Sequence, residues 1–275
     1  MSADALGAYL SRADRLFVVT GAGISAPSGI DTYRDDKGSW QKSQPIQHQD
    51  FVSKLRSRQR YWARSMRGWP MFRDARPNAA HEALAELEAA GRIQRVITQN
   101  VDGLHQRAGQ RRVVELHGSL ESVRCLNCGH QQSRDAVQQW LEAENPDWLD
   151  ARVEARPDGD ADFLGVRQFD DFRTPPCEVC GGVLKPDVVF YGDSVPRERV
   201  SGVRQDLADA DAVLVVGSSL MVYSSFRFMK EAHALGLPMV ALNRGATRAD
   251  DWFAFKWQED CAVALPRALA HAGLH

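Results

Sequence analysis

Four cysteines in two matched pairs carry the most specific chemistry in this chain: Cys125-x-x-Cys128 and Cys177-x-x-Cys180, each closed by a glycine, Gly129 and Gly181. Two thiolates three positions apart, followed by a residue that lets the chain turn tightly, form a zinc knuckle. Two knuckles supply the four sulfurs of a tetrahedral Zn²⁺ site. Four thiolates complete the coordination shell, so the site reads as closed and structural, and the reactive chemistry must lie elsewhere. Two unrelated turns or a redox dithiol are the other readings of the same pairs. The 48 residues between Cys128 and Cys177 (129–176) far exceed the roughly 15–20 of an ordinary ribbon. The spacing therefore predicts an insertion between the knuckles.

A second feature is Thr20-Gly21-Ala22-Gly23-Ile24-Ser25, directly after an apolar run. Glycines at a strand end let backbone approach a phosphate, and a following helix can offer its N-terminus to the anion. The dinucleotide fingerprint asks for a third glycine, and Ala26 stands in that place. Alone, this loop does not separate a nucleotide site from an ordinary strand-to-helix turn.

The elements that must position these residues are legible as short apolar runs. Leu16–Thr20, Val96–Thr98, Ala212–Gly217 and Pro238–Asn243 are continuously hydrophobic, as strands covered on both faces are. Helical periodicity marks Asn78–Gly91 and Ser224–Gly236. Alternating strands and helices imply an open α/β sheet. Two stretches interrupt it. Asp50–Arg76 carries Phe51, Tyr61, Trp62, Trp69 and Phe72 and reads as a helical lobe. Leu120–Leu184 holds the knuckles, one helix at Arg134–Glu144, and an acidic, loop-like tract from Asn145 to Asp162 with a turn signal at Pro157-Asp158-Gly159-Asp160. The chain is thus expected to be one catalytic unit over 1–275. A large domain would span 1–35, 77–119 and 185–275, and a small domain 36–76 (helical lobe) and 120–184 (zinc module). Clefts between such domains favour ligands.

Composition sets the outer bounds. Hydrophobic residues make up 44% and charged residues 25%, and 34 Lys+Arg against 36 Asp+Glu leave a formal net charge of -2. That balance gives no electrostatic case for nucleic acid or membrane as a partner. Five cysteines, four of them assigned to metal, fit a reducing compartment. The first residues read as a short amphipathic helix rather than a signal peptide, and no run approaches the roughly 20 apolar residues of a membrane span. The expectation is a cytoplasmic protein. Oligomeric state is not specified.

The glycine loop continues as Ser25-Ala26-Pro27-Ser28-Gly29-Ile30-Asp31-Thr32-Tyr33-Arg34, which resembles the sirtuin signature GAGxSxxSGIxxxR. Further motifs follow in sirtuin order: Thr98-Gln99-Asn100-Val101-Asp102-Gly103-Leu104-His105, Leu116-His117-Gly118, the cysteine pairs, and Gly217-Ser218-Ser219-Leu220. The resemblance spans nearly the whole chain. The stretches around Pro45–Phe51, Arg58–Arg64 and Gly68-Trp69-Pro70 are similar to the class II branch, which includes a mitochondrial member. The resemblance implies a Rossmann-like sheet domain, a smaller zinc-ribbon and helical domain formed by two insertions, and an NAD-dependent protein deacylase. Such an enzyme moves the acyl group from lysine to ADP-ribose and releases nicotinamide. It implies His117 as general base, a role suited to an imidazole near neutrality, with Asn100 and Asp102 as catalytic partners. Cofactor contacts are implied for Gly21, Ala22, Gly23, Ser25, Tyr33, Arg34, Gln99, Asn100, Asp102, Gly217, Ser218, Ser219, Asn243, Arg244 and Cys261. Val188, Val189, Phe190 and Tyr191 would pair with the substrate peptide as an added strand, and one structural Zn²⁺ would sit on Cys125, Cys128, Cys177 and Cys180. The partners implied are acyl-lysine proteins.

The chain also departs from the pattern. Asp31-Thr32 stands where sirtuins usually carry Pro-Asp, which removes an acid. The insert either shapes the acyl entrance or is a surface excursion. Tyr61 and Arg64, three apart on one helical face, lie where sirtuins for acidic acyl groups carry a Tyr and an Arg. The same aromatic-rich lobe would equally line a channel for a long acyl chain. Competing functions are an ADP-ribosyltransferase using the same site, a Rossmann dehydrogenase and a non-catalytic zinc module. The broken glycine fingerprint disfavours the dehydrogenase, and the complete motif set disfavours the bare zinc module.

Overall fold

The architecture is taken from a computed structural model that describes residues 3–32, 46–156, 160–164 and 168–274. Its helices are α1 (Ala3–Arg12), α2 (Ala22–Ser25), α3 (His48–Ser53), α4 (Leu55–Asp74), α5 (Ala79–Ala89), α6 (Leu104–Arg107), α7 (Arg134–Glu144), α8 (Arg197–Ala208), α9 (Tyr223–Ala234) and α10 (Cys261–Ala272). Its strands are β1 (Leu16–Thr20), β2 (Ile93–Thr98), β3 (Val113–Glu115), β4 (Gly118–Cys125), β5 (Gln131–Ser133), β6 (Val153–Arg156), β7 (Asp160–Phe163), β8 (Leu184–Val188), β9 (Ala212–Val216), β10 (Met239–Leu242) and β11 (Phe255–Trp257).

Six strands form one all-parallel sheet in the order β11-β10-β9-β1-β2-β3. Every residue of β1 and β9 is buried, which explains their unbroken apolar runs. Alternate side chains point to opposite faces of a strand. Accordingly Leu16, Val18, Leu214 and Val216 pack with α1, α5 and α10 on one face. Phe17, Val19, Val213 and Val215 pack with α8 and α9 on the other. Helix starts follow local chemistry. The Asn78 side chain accepts from Ala80 N while His81 reaches back to the Asn78 N–H, and Asp260 caps α10 through Ala262 N.

The second lobe has its own core. On α4 the residues Tyr61, Trp62, Met66, Trp69 and Phe72 recur at helical spacing and are buried against Leu120, Val123, Val137, Leu141 and Phe172. Buried Arg134 lies against the faces of Trp62 and Trp69, at 5.6 and 5.1 Å from their centroids, and donates to Ser65 O at 3.1 Å. Strands β5-β4-β8 form a small antiparallel sheet. The acidic tract expected as loop is instead a turn of 3₁₀ helix (Pro146–Trp148) and the antiparallel hairpin β6–β7. Its few apolar residues converge from distant positions. Trp148 meets Phe163, Phe169 and Phe172, each at 5.4 Å, and Ala161 is fully buried. The Pro157-Asp158-Gly159 signal falls between the two strands, outside the described residues. No helix among the described residues is long and apolar enough to cross a membrane.

Candidate active site and metal centre

Strand order reverses between β1 and β9, whose C-terminal ends lie side by side with Thr20 opposite Val216. A parallel sheet opens a crevice at such a switch point, and ligands bind there. The loops leaving both strands are glycine-rich and touch. Gly23 N donates to Gly217 O at 2.8 Å, and a Cβ on Gly23 would lie 2.8 Å from Gly217 Cα. Gly217 has φ +59, and a Cβ there would overlap the Ile24 backbone nitrogen. The helix after the first loop is a single turn, α2. Backbone approach, rather than a helix dipole, is therefore what this loop offers an anion. The third loop completes the cradle: Gly217 N donates to Leu242 O at 2.9 Å, Asn243 Nδ2 to Gly245 O at 2.7 Å, and Arg244 to Asp260 at 2.9 Å. Cys261 donates its thiol to Gly23 O at 3.7 Å, and burial pushes that thiol up to about 12. It is a protonated, apolar part of the wall.

At the end of β2 the side chains close a hydrogen-bond network between loops. Gln99 Nε2 donates to Ser218 Oγ at 2.6 Å. Asn100 Nδ2 donates to Gly21 O at 3.1 Å and to Ser25 Oγ at 3.0 Å, and Ser25 passes its own hydroxyl proton to Asp102 Oδ2 at 2.7 Å. The other Asp102 oxygen accepts from Leu104 N at 3.0 Å, so this carboxylate both caps the following turn and orients Ser25.

His117 follows β3 and precedes β4. Its Nδ1 lies 2.9 Å from Gln99 O and its Nε2 2.8 Å from Ser224 Oγ. A carbonyl oxygen can only accept, so Nδ1 carries the proton and Nε2 is the free lone pair. Burial lowers the imidazole pKa, the Gln99 carbonyl raises it, and Arg199 lowers it further. The net direction is downward, towards a neutral ring able to take a proton. Gly118 has φ +83, and a Cβ there would overlap Asp187 O. That overlap fixes glycine directly after the histidine.

Beyond His117 the chain β8 and its continuation form the opposite wall. β8 pairs with β4 on one side and lies at the edge of its sheet. Val189 N donates to the backbone carbonyl of His117 at 2.8 Å, so this amide is not available to an incoming strand. One cavity of about 960 Å³ joins these parts. Gly21, Ala22, Gly23, Ser25, Gln99, Asn100, Asp102, His117, Val188, Val189, Phe190, Tyr191, Gly217, Ser218, Ser219, Asn243, Arg244 and Cys261 all line it. Tyr33 and Arg34 lie outside the described residues.

The cavity also takes residues not singled out from the sequence: Ser224, Tyr223 and Arg227 come from α9, and Ile30, Ile46, Val101 and Leu120 from elements far apart in the chain. Phe72 belongs to the aromatic-rich lobe expected to line a channel. Ile30 and Val101 lie inside the motifs quoted above but carried no assigned role there. Tyr61 lines the cavity and packs edge-on against Phe51 and Phe190, at 5.4 and 5.3 Å. Arg64 is not among the lining residues: its guanidinium pairs with Asp162 at 2.8 Å and donates to Ala161 O at 3.0 Å. The insert thus meets the outer side of α4, and Tyr61 and Arg64 do not face one ligand.

The four knuckle cysteines converge at the far end of β4. All four sulfurs lie within 4.8 Å of one another, with Cys125–Cys180 at 3.5 Å and Cys128–Cys177 at 3.7 Å. Zn–S bonds of about 2.3 Å in a tetrahedron place sulfurs about 3.8 Å apart, so the donor set fits zinc. β4 runs eight residues, from Gly118 beside His117 to Cys125. At about 3.3 Å per residue that separates Cys125 from His117 by up to about 26 Å along the strand. The metal centre is structural.

Comparison with known proteins agrees with this geometry. The Sir2 family model matches residues 21–224. An "NAD-dependent protein deacetylase" of Xanthomonas campestris pv. campestris (strain 8004) is 55% identical over 261 residues, covering 95% of this chain and 89% of the relative. A bovine (Bos taurus) "NAD-dependent protein lipoamidase sirtuin-4, mitochondrial" is 46% identical over 261 residues, covering 94% and 82%. Among solved structures, a Sir2 protein with p53 peptide and NAD+ superposes with a TM-score of 0.81 at 29% identity, over 100% of both chains.

Proposed function

This chain belongs to the Sir2 family and is an NAD-dependent protein deacylase with structural zinc, and we propose that it prefers uncharged, apolar acyl groups on lysine, with His117 as its general base. The observation that carries the acyl preference is the wall of the cavity on the helical-lobe side. Ile30, Ile46, Tyr61, Phe72, Val101 and Leu120 face Val188 and Phe190 there. Arg64 on α4 does not line the cavity and is engaged by Asp162. Among the described residues this wall offers no cation, so an acyl group ending in a carboxylate would lose its hydration there without one. The name of the bovine lipoamidase supports the same direction, and we place the chain in the class II branch with it.

When bound, NAD supplies an electrophilic ribose carbon and nicotinamide as leaving group. In our reading Gly21–Gly23, Gly217–Ser219, Asn243, Arg244 and Cys261 hold its adenosine and phosphate half. Ser25, Gln99, Asn100 and Asp102 surround the nicotinamide, with Tyr33 and Arg34 assigned by motif alone. The interlocked donors of Asn100 and Ser25 fix the carboxylate of Asp102 before any ligand arrives, which limits reorganisation during reaction. His117 takes a ribose hydroxyl proton on Nε2, while Nδ1–H keeps its bond to Gln99 O. In our reading β8, at the edge of its sheet, and Val188–Tyr191 line the path of the peptide and orient it as an added strand. We assign the protein to the cytoplasm, where the zinc thiols stay reduced.

The test is a panel of acetyl-, lipoyl-, decanoyl- and glutaryl-lysine peptides with NAD, following free nicotinamide and peptide mass. Lipoyl and decanoyl peptides are expected to give the highest kcat/KM and glutaryl the lowest. A glutaryl optimum overturns the acyl preference, and ADP-ribose on the peptide would indicate the transferase chemistry instead. His117→Ala is expected to lower deacylation 10²–10⁴-fold with zinc content unchanged.

A further inference from the structure

Among the described residues, Ser224 is the side chain that hydrogen-bonds Nε2 of His117, across 107 residues of sequence. It stands in the first turn of α9 and lines the same cavity. Because Nδ1–H is committed to Gln99 O, the 2.8 Å contact at Nε2 has one possible polarity: the serine hydroxyl donates and the imidazole accepts. That polarity belongs to the neutral ring; if Nε2 is protonated, the same hydroxyl turns about its Cβ–Oγ bond and accepts from it.

We propose that Ser224 is a positioning residue for the base: its hydroxyl holds the Nε2 lone pair of His117 aimed into the cavity in the ligand-free enzyme and hands that lone pair over to the incoming ribose hydroxyl. The inference rests on His117 being the base. Two bonds, to Gln99 O and from Ser224, fix the ring about both of its side-chain torsions. A single bond at Nδ1 would leave the imidazole free to swing about that contact. The start of α9 favours the neutral ring, since the positive end of a helix disfavours imidazolium. Arg199 on α8 acts in that direction too. Other charged groups around the cavity are Arg227 on α9, Arg197 at the start of α8, Arg244, Asp102, Asp193, Glu259 and Asp260. Glu115 stands two residues before His117 on β3, and burial pushes its carboxyl up to about 7.

The hydroxyl donates to the neutral ring and, once rotated, accepts from the charged one, so the positioning role is read from rate and ring environment, not from the sign of a pKa shift. Two readouts test this. On the high-pH plateau, where His117 is neutral, Ser224→Ala is expected to lower kcat roughly three- to tenfold, the size of one lost hydrogen bond, with KM for NAD unchanged and Ser224→Thr restoring the rate. At the same pH the His117 Cε1–H resonance, assigned by its loss in His117→Ala, is expected to move in ligand-free Ser224→Ala and to return in Ser224→Thr; this measurement needs no activity and separates His117 from Glu115. An unchanged kcat or an unchanged His117 resonance in Ser224→Ala overturns the proposal. Full deacylation by His117→Ala would instead overturn the assignment of the base and leave the resonance result standing.

Discussion

In the large sheet, β1 and β9 are buried along their whole length and packed on both faces by helices. In the second lobe, the interior admits Arg134, Gln138 and Asn145, a four-cysteine centre, and an acidic insert held by a few aromatic rings. The first region rests mainly on apolar area, with a few buried polar bonds such as Thr20–His105 and His105–Gln110. The second has an apolar cluster of its own and adds a metal centre and a buried arginine. Both regions line the one cavity: in the proposed reading the sheet supplies rigid backbone for the cofactor, and the second lobe supplies the shape of the acyl channel.

The largest effect should come from the metal. Chelation, or Cys125→Ala, removes a contribution that in zinc-finger peptides amounts to about 10 kcal/mol or more. Hydrogen exchange is expected to accelerate across β4, β5 and β8, while amides of β1, β9 and β10 stay protected. Equal loss of protection in both regions would show that they do not differ as described.

An intermediate effect is expected at the loop contact of the sheet. Gly217→Ala forces a Cβ into the backbone of the first glycine loop at a positive φ. Strain and overpacking together should cost roughly 2–5 kcal/mol, and KM for NAD should rise at least tenfold while zinc content holds. Unaltered NAD kinetics would show that the two loops are not the cradle.

The smallest effect belongs to the insert. Asp162→Asn breaks the pair with Arg64, whose side chain is 11% exposed against 27% for Asp162. Partial exposure keeps the expected cost to about 1–2 kcal/mol, seen as a melting shift of a few degrees. Because Tyr61 shares α4 with Arg64, the ratio of decanoyl to acetyl activity is expected to fall with it. A melting shift with no change in that ratio would confine the hairpin to a structural role.

Much of this was legible in advance, for identifiable reasons. Leu16–Thr20 and Ala212–Val216 announced buried strands, because a strand covered on both faces leaves no polar alternation. The cysteine pairs announced their metal, because thiolates three apart before a glycine have few other uses. The hairpin β6–β7 was not legible, because the residues that fold it (Trp148, Phe163, Phe169, Phe172) are isolated in sequence and meet only in space. Tyr61 and Arg64 share a helical face by spacing, yet Asp162 turns the arginine outward, and no local pattern encodes a partner 98 positions away.

The sequence by itself determined the four cysteines of the metal centre, the strands of the sheet, the glycines where the loops touch and the histidine proposed as base. Each is a property of residue type within a few positions, where sterics and donor chemistry act directly. Only the tertiary structure decided that β1 and β9 end together, that Ser224 faces the lone pair of His117, and that the insert grips α4 from outside. Those pairings depend on strand order and helix placement, which are set by the packing of the whole core.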